Sequence, residues 1–243
     1  MEKNIDNIKI HYEQTGKGKD VVLLHGWGQN IEMMKPLADG LEDFCRCTII
    51  DLPGFGESSE PLESLSIYEY TEVIEKLLKE LNIINPIIIG HSFGGRIAII
   101  YASRNKTEKI VLFGAPCIRE YKPTTKDKIL KTLKKIKIAT PIVNIMKKKM
   151  GSADYNNATP IMRGILVKTV NQDLSEQAKK IECPSLLIWG TNDTAAPIEL
   201  ARRLEKLIKD AGLIEIPGGS HYAYLESLGY CLTILRNFLE DKS

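Results

Sequence analysis

Three residues that together can transfer an acyl group occur in this chain, each just past an apolar run: Ser92, Asp193 and His221. Ser92 lies in Gly90-His91-Ser92-Phe93-Gly94-Gly95, between Pro86-Ile87-Ile88-Ile89 and the helix-like stretch 96–102. A Gly-x-Ser-x-Gly between strand and helix reads as a sharp, strained turn that exposes the serine hydroxyl at the carboxyl end of the strand. Gly90 and Gly94 leave room where a Cβ would meet the neighbouring strand or helix. The Phe93 N–H, at the start of the helix, points toward charge developing nearby. By itself the motif also arises by chance in glycine-rich loops. What decides is whether a base, an orienting acid and a second oxyanion donor accompany it.

A serine hydroxyl is a poor nucleophile near neutral pH and needs a base within hydrogen-bond reach. His11 sits in a strand, and His25 and His91 lie beside other motif positions. Only His221, in Gly218-Gly219-Ser220-His221, follows the acid. Asp193, in Gly190-Thr191-Asn192-Asp193-Thr194, is the acid that would hold the tautomer of His221 and stabilise its imidazolium. Asp51, in Asp51-Leu52-Pro53-Gly54-Phe55-Gly56-Glu57-Ser58, reads as a turn residue. The loop His25-Gly26-Trp27-Gly28 follows the run Val21-Val22-Leu23-Leu24, and its Trp27 N–H is assigned as the second oxyanion donor. The alternative for that loop is a plain strand-to-helix turn, with His25 shaping it by hydrogen bonding.

These loops need elements to hold them. Residues 8–13 alternate like a half-buried strand. The run at 21–24 is continuously apolar, the mark of a strand buried on both faces, and the largely apolar stretches at 47–50, 86–89, 109–113, 184–189 and 213–216 read as further strands of the sheet. Helical spacing predicts helices over 30–43, 66–81, the stretch after the elbow to about 103, about 197–209 and about 227–240. In the second of these Ser66 caps and Glu69 completes a capping box. Strand and helix alternate, so the sequence predicts an α/β fold: a mostly parallel sheet with helices on both faces, and ligands beyond the carboxyl ends of the strands.

The composition changes at residue 118. Residues 118–180 hold 13 Lys and 2 Arg against 5 acidic residues, a net +10, while the rest carries −8. Strand-like runs vanish, and apolar residues recur at helical spacing at Ile129, Leu130, Leu133 and Ile136 and again from Ile142, after a helix start at Thr140-Pro141. Residues 118–180 are therefore expected to form a helical cap, broken at Pro141, Gly151 and Pro160, inserted into a core of residues 1–117 and 181–243. The lysines read as solvated helix faces, or alternatively as attraction for an anionic substrate or membrane surface. Arg96 and Arg163 are candidates for binding a substrate carboxylate, against a helix salt bridge for Arg96 and a solvated cap position for Arg163.

The whole chain of 243 residues, 43% hydrophobic, carries only +2, which argues against nucleic acid as a partner, and no apolar run reaches membrane-spanning length. The first six residues are polar, unlike a signal segment. Five cysteines without a Cys-x-x-Cys read as reduced core residues, so a cytoplasmic location is expected. Cys45 and Cys47 share a strand face, but no further ligand completes a metal site.

With serine, aspartate and histidine in that chain order, each after a strand, the sequence resembles the α/β-hydrolases over essentially its whole length. The matching segments are those around Trp27, Ser92, Asp193 and His221, and the 51–58 loop is also similar to the family's. The resemblance implies an eight-stranded sheet with a helical cap, a small-molecule substrate and an acyl-enzyme mechanism without metal or organic cofactor. Epoxide hydrolases and haloalkane dehalogenases of this fold carry aspartate where Ser92 stands. Esters of small to medium acyl groups are the expected substrates. Carbon–carbon or amide hydrolysis, perhydrolysis, the chemistry of menaquinone-pathway lyases and a ligand-binding sensor with vestigial activity remain open at this point.

Overall fold

The computed structural model describes residues 1–118 and 158–240. The expected helix start at Thr140-Pro141 and the helical spacing between Ile129 and Met146 lie outside the described residues. The strands are β1 (Glu2–Ile5), β2 (Ile8–Gly16), β3 (Lys19–Leu24), β4 (Cys45–Ile50), β5 (Ile87–His91), β6 (Lys109–Phe113), β7 (Ser185–Gly190) and β8 (Ala211–Ile216). They form one sheet in the order β1-β2-β4-β3-β5-β6-β7-β8. The pairs β1–β2 and β2–β4 are antiparallel and all others parallel. This is the expected fold class, a mostly parallel eight-stranded α/β sheet.

The apolar runs of β3 to β7 are central strands: every residue of β5 and β7 is buried. Alternate side chains of one strand feed opposite layers. Val22, Leu24, Ile88 and Leu112 face one core, packed against the helices α2 (Ile67–Glu80) and α3 (Phe93–Ala102). Val21, Leu23, Ile89 and Phe113 face the other, packed against α1 (Lys35–Asp39) and the C-terminal helix. The capping box at Ser66 is present, with Glu69 N–H donating to the Ser66 hydroxyl and Ser66 N–H to the Glu69 carboxylate. Helix α3 is buried on every side, as a helix between a sheet and its neighbours must be.

Three local readings differ from the sequence expectation. Strand β1 was not foreseen, because only Ile5 of its four residues is buried and an edge strand need not alternate. The helix over 30–43 is a 3₁₀ turn at Ile31–Met33 followed by the five-residue α1. Pro36 restarts the helix and Gly40 caps it, yet Ile31, Met34, Leu37, Ala38 and Leu41 are all buried as expected. Pro160 does not break a helix but begins one, α4 (Pro160–Val170), with the Thr159 hydroxyl accepting from Met162 N–H. A short α5 (Ser175–Ala178) leads back to the sheet, followed by α6 (Ile198–Leu207), α7 (Ala223–Glu226) and α8 (Leu228–Leu239). Among the described residues no helix is long and apolar enough to cross a membrane.

Candidate active site

Ser92 has φ 50° and ψ −108°, a conformation few non-glycine residues adopt. Its surroundings impose it. Ser92 N–H donates to the Phe113 carbonyl of β6 at 2.8 Å, and Gly94 N–H to the His25 carbonyl at 3.0 Å. A Cβ on Gly94 would collide with the Leu24 carbonyl of β3, and one on Gly90 would lie 2.6 Å from the Gly94 carbonyl. The turn is thus wedged between three strand ends, and its hydroxyl is the half-buried group at their carboxyl edge. Phe93 is the first residue of α3, so its N–H has no acceptor within the helix. Among the described residues nothing accepts the Trp27 N–H either.

His221 and Asp193 come from the loops after β8 and β7. His221 Nδ1 lies 2.7 Å from Asp193 Oδ2. The Asp193 side chain is fully buried, and its Oδ1 accepts from Ala195 N–H at 2.9 Å and Ala196 N–H at 2.8 Å. A carboxylate so held keeps one orientation. It accepts the hydrogen bond from His221 Nδ1–H, which leaves Nε2 as the ring's lone-pair nitrogen. That nitrogen has no hydrogen-bond partner among the described residues, and the His221 side chain keeps 17% of its surface exposed.

Gly114, at the carboxyl end of β6, was not singled out in the sequence. It has φ 51°, and a Cβ there would lie 3.0 Å from His221 Nδ1 and 3.2 Å from Asp193 Oδ2. Its position in Gly114-Ala115-Pro116, after a buried strand, was the available signal. The glycine lets the His221–Asp193 hydrogen bond lie against the backbone.

His25 shapes the loop at Trp27, as expected of it, and Asp51 holds the turn that follows β4. His25 is buried, with Nδ1 2.7 Å from the Gly26 carbonyl and Nε2 accepting the Leu52 N–H at 3.0 Å. Burial pushes its pKa down to about 4, so the ring is neutral and structural near pH 7. Asp51 accepts from Ile31 N–H and Glu57 N–H, both at 2.9 Å, the turn role expected of it.

Arg96, the first candidate for a substrate carboxylate, is 5% exposed and committed to the protein. Its guanidinium donates to the carbonyls of Pro116, Thr169 and Gln172. It binds α3 to the end of the cap segment through carbonyls, neither through a helix salt bridge nor by facing a ligand. Arg163 lies half-buried in α4, next to Met162.

Above Trp27 is a cavity of about 360 Å³ lined by Trp27, Gly54, Phe55, Glu60, Thr159 and Met162. The rings of Trp27, Phe55, Phe93 and Tyr70 meet edge to face beneath it, with centroids 4.9–5.4 Å apart. One wall is formed by Ala158, Thr159 and Met162, at the start of α4. A larger hollow of about 570 Å³ lies between Arg104, Glu108, Lys180 and Glu182, at the amino ends of β6 and β7 and away from Ser92. Among the described residues no cluster of three or more His, Cys, Asp or Glu could hold a metal.

A strained serine between strand and helix, a His–Asp pair at the same edge and an eight-stranded sheet of this order define a class. Residues 20–128 match the family model of the alpha/beta hydrolase fold. The chain is 24% identical to the AB hydrolase superfamily protein YisY of Bacillus subtilis, over 92% of each chain. It is 27% identical to the pimeloyl-[acyl-carrier protein] methyl ester esterase of Nitrosospira multiformis, over 90% of this chain and 93% of that one. The crystal structure of a bromoperoxidase from Bacillus anthracis superposes with a TM-score of 0.78 at 25% identity, over 96% of each chain. The chain thus has the α/β-hydrolase fold and is similar to hydrolases of that fold along most of its length.

Proposed function

We propose that this protein is a serine hydrolase that cleaves carboxylic esters of small to medium acyl groups. The observation that carries the reading is the His221–Asp193 pair, at 2.7 Å, on the same sheet edge as a serine held at φ 50°. Ser92 Oγ attacks the ester carbonyl carbon while His221 Nε2 takes its proton. Asp193 holds the opposite ring nitrogen and stabilises the imidazolium. The N–H groups of Phe93 and Trp27 receive the oxyanion, each donor typically worth about 3–4 kcal/mol in the transition state. His221 returns the proton to the departing alkoxide, leaving Ser92 acylated. Water, deprotonated by the same nitrogen, then releases the acid. These residues complete the cycle with no metal or organic cofactor in any step.

Relatives named as methyl ester esterases support ester hydrolysis over other acyl transfers. The cavity beside Trp27 is at the small end of ligand pockets, which suits a short or medium acyl group. Arg163 is the remaining candidate for a substrate carboxylate, and the partner is a small molecule.

The test is hydrolysis of p-nitrophenyl esters from acetate to palmitate by wild type and Ser92→Ala. Turnover with a chain-length optimum, reduced by about 10⁴-fold or more in Ser92→Ala at unchanged Tm, is expected. Turnover that persists in Ser92→Ala would overturn the assignment.

A further inference from the structure

His91 stands immediately before the serine, and the chemistry above gives it no task. It is nevertheless fully buried, with both ring nitrogens against polar partners. Nε2 lies 3.0 Å from the backbone carbonyl oxygen of His221. Nδ1 lies 3.1 Å from the Gln29 side-chain amide, and that same amide accepts the Gly26 N–H at 2.8 Å. The ring also packs on the imidazole of His221 and on Tyr224, with centroids 4.8 and 4.9 Å away.

The proton can be placed by elimination. Both nitrogens face an oxygen, Nε2 the His221 carbonyl and Nδ1 the Gln29 Oε1. The backbone carbonyl can only accept and cannot turn, whereas the Gln29 amide can be turned over, so Nε2 of His91 carries the hydrogen. Burial and the neighbouring His221 push the His91 pKa down to about 3, so the ring is neutral and Nδ1 presents a lone pair to Gln29. The Gln29 amide has one oxygen and one NH₂ for two neighbours. With its oxygen on Gly26 N–H it only packs against Nδ1. Turned over, it donates to Nδ1 and releases Gly26. In either orientation one side chain spans the ring and the loop that carries Trp27.

We propose that His91 is a positioning residue that ties the Gly26–Gln29 loop and the His221 loop to the turn bearing Ser92, so that oxyanion donor, base and nucleophile share one frame. The three groups come from loops after β3, β5 and β8. Strand β3 pairs with β5, and Gly94 N–H reaches the His25 carbonyl, but β8 pairs with neither strand, so the His221 loop is the one that backbone pairing leaves unattached to the turn. The link passes through the backbone of His221, not its ring, so it fixes where the base stands without competing for its proton. Acyl transfer is sensitive to such placement: a misplacement of about 1 Å can cost on the order of 100-fold.

The inference rests on the triad reading, and its test separates the two. His91→Phe keeps an aromatic ring and removes both polar contacts. It should lower kcat about 10- to 100-fold with little change in KM. His91→Gln can place an amide N–H near the former Nε2 and should recover most of the loss. Gln29→Ala should cost less than His91→Phe and add nothing to it in the double variant. A kcat of His91→Phe within about twofold of wild type, or additive losses in the double variant, would overturn the proposal. If His91→Phe does not fold, His91→Gln and Gln29→Ala, alone and combined, carry the same comparison. A second arm needs no turnover. Ring-nitrogen NMR of ¹⁵N-histidine protein should show His91 as the Nε2–H tautomer and a shifted His221 signal in His91→Gln. An Nδ1–H tautomer would overturn the link even in an active enzyme. A wild type without Ser92-dependent turnover would instead reject the triad and leave this contact testable.

Discussion

Two histidine–aspartate pairs in this molecule share the same short contact between Nδ1 and a carboxylate oxygen. His11 Nδ1 lies 2.8 Å from Asp51 Oδ2, and His221 Nδ1 lies 2.7 Å from Asp193 Oδ2. Both aspartates have buried side chains that also accept two backbone N–H groups, and both rings are mostly covered, at 13% and 17% exposure. They differ in what meets the far side of the ring. His11 Nε2 faces the carboxylate of Glu57 at 3.8 Å, so its ring lies between two acids. His221 Nε2 has no such partner among the described residues, and its loop reaches the turn of Ser92. The first pair clamps β2 to the loop after β4. The second leaves a basic nitrogen available. A short His–Asp contact is therefore not a catalytic signature until the second nitrogen is accounted for.

Substitutions should separate the pairs. Asp193→Asn should lower kcat by about 10³- to 10⁴-fold in ester hydrolysis, because the amide no longer selects the Nδ1–H tautomer. Asp51→Asn should leave kcat of the folded protein within a few-fold of wild type. If the two variants lose activity equally, the distinction between clamp and base collapses.

The order reverses for stability. Asp51→Ala leaves the buried Ile31 N–H and the more exposed Glu57 N–H without their acceptor, and should cost about 1–3 kcal/mol in urea unfolding.

Acid sharpens the contrast with histidines that have no acidic partner. His25 titrates near 6.5 in the unfolded chain and near 4 in the folded one. Between those values the unfolded chain binds the extra proton. This contribution to stability is complete above about pH 6.5 and is lost as pH falls toward 4, by on the order of 3 kcal/mol from this ring. His91 acts in the same direction. Urea midpoints at pH 7 and pH 4.5 measure the loss, and His25→Gln should flatten the pH dependence if the protein folds. The smallest effect should be that of Glu57→Gln, whose side chain is 72% exposed. It should move Tm by about 1 °C or less.

Much of the fold was legible from residue pattern. Apolar runs identified the central strands β3, β4, β5, β6 and β7 as buried, because a parallel strand covered by helices on both faces has no polar side, whereas β8 at the sheet edge buries only Ile216. The capping box at Ser66 and Glu69 marked the start of α2 to the residue. Elements without such necessity were harder to read. Strand β1 buries one side chain, and Pro36 and Gly40 shorten a helix whose apolar spacing is otherwise intact. At the candidate site, Ser92, Asp193 and His221 were readable because each follows a strand in a glycine-rich loop. Gly114 and Gln29 were not, since their importance lies in contacts with residues far along the chain. Arg96 was misread for the same reason: its three carbonyl acceptors belong to Pro116, Thr169 and Gln172, which spacing alone does not bring together.

The sequence by itself determined the alternation of strands and helices, the strained turn at Ser92 and the chain order of serine, acid and histidine. Those follow from side-chain period and from where only glycine fits, which are local properties. Only the tertiary structure decided which histidine–aspartate pair keeps an available nitrogen, which arginine is consumed in holding carbonyls, and which buried imidazole joins three loops. Each of those depends on what lies on the far side of a ring or a guanidinium. Packing of the sheet supplies that neighbour, and no spacing along the chain encodes it.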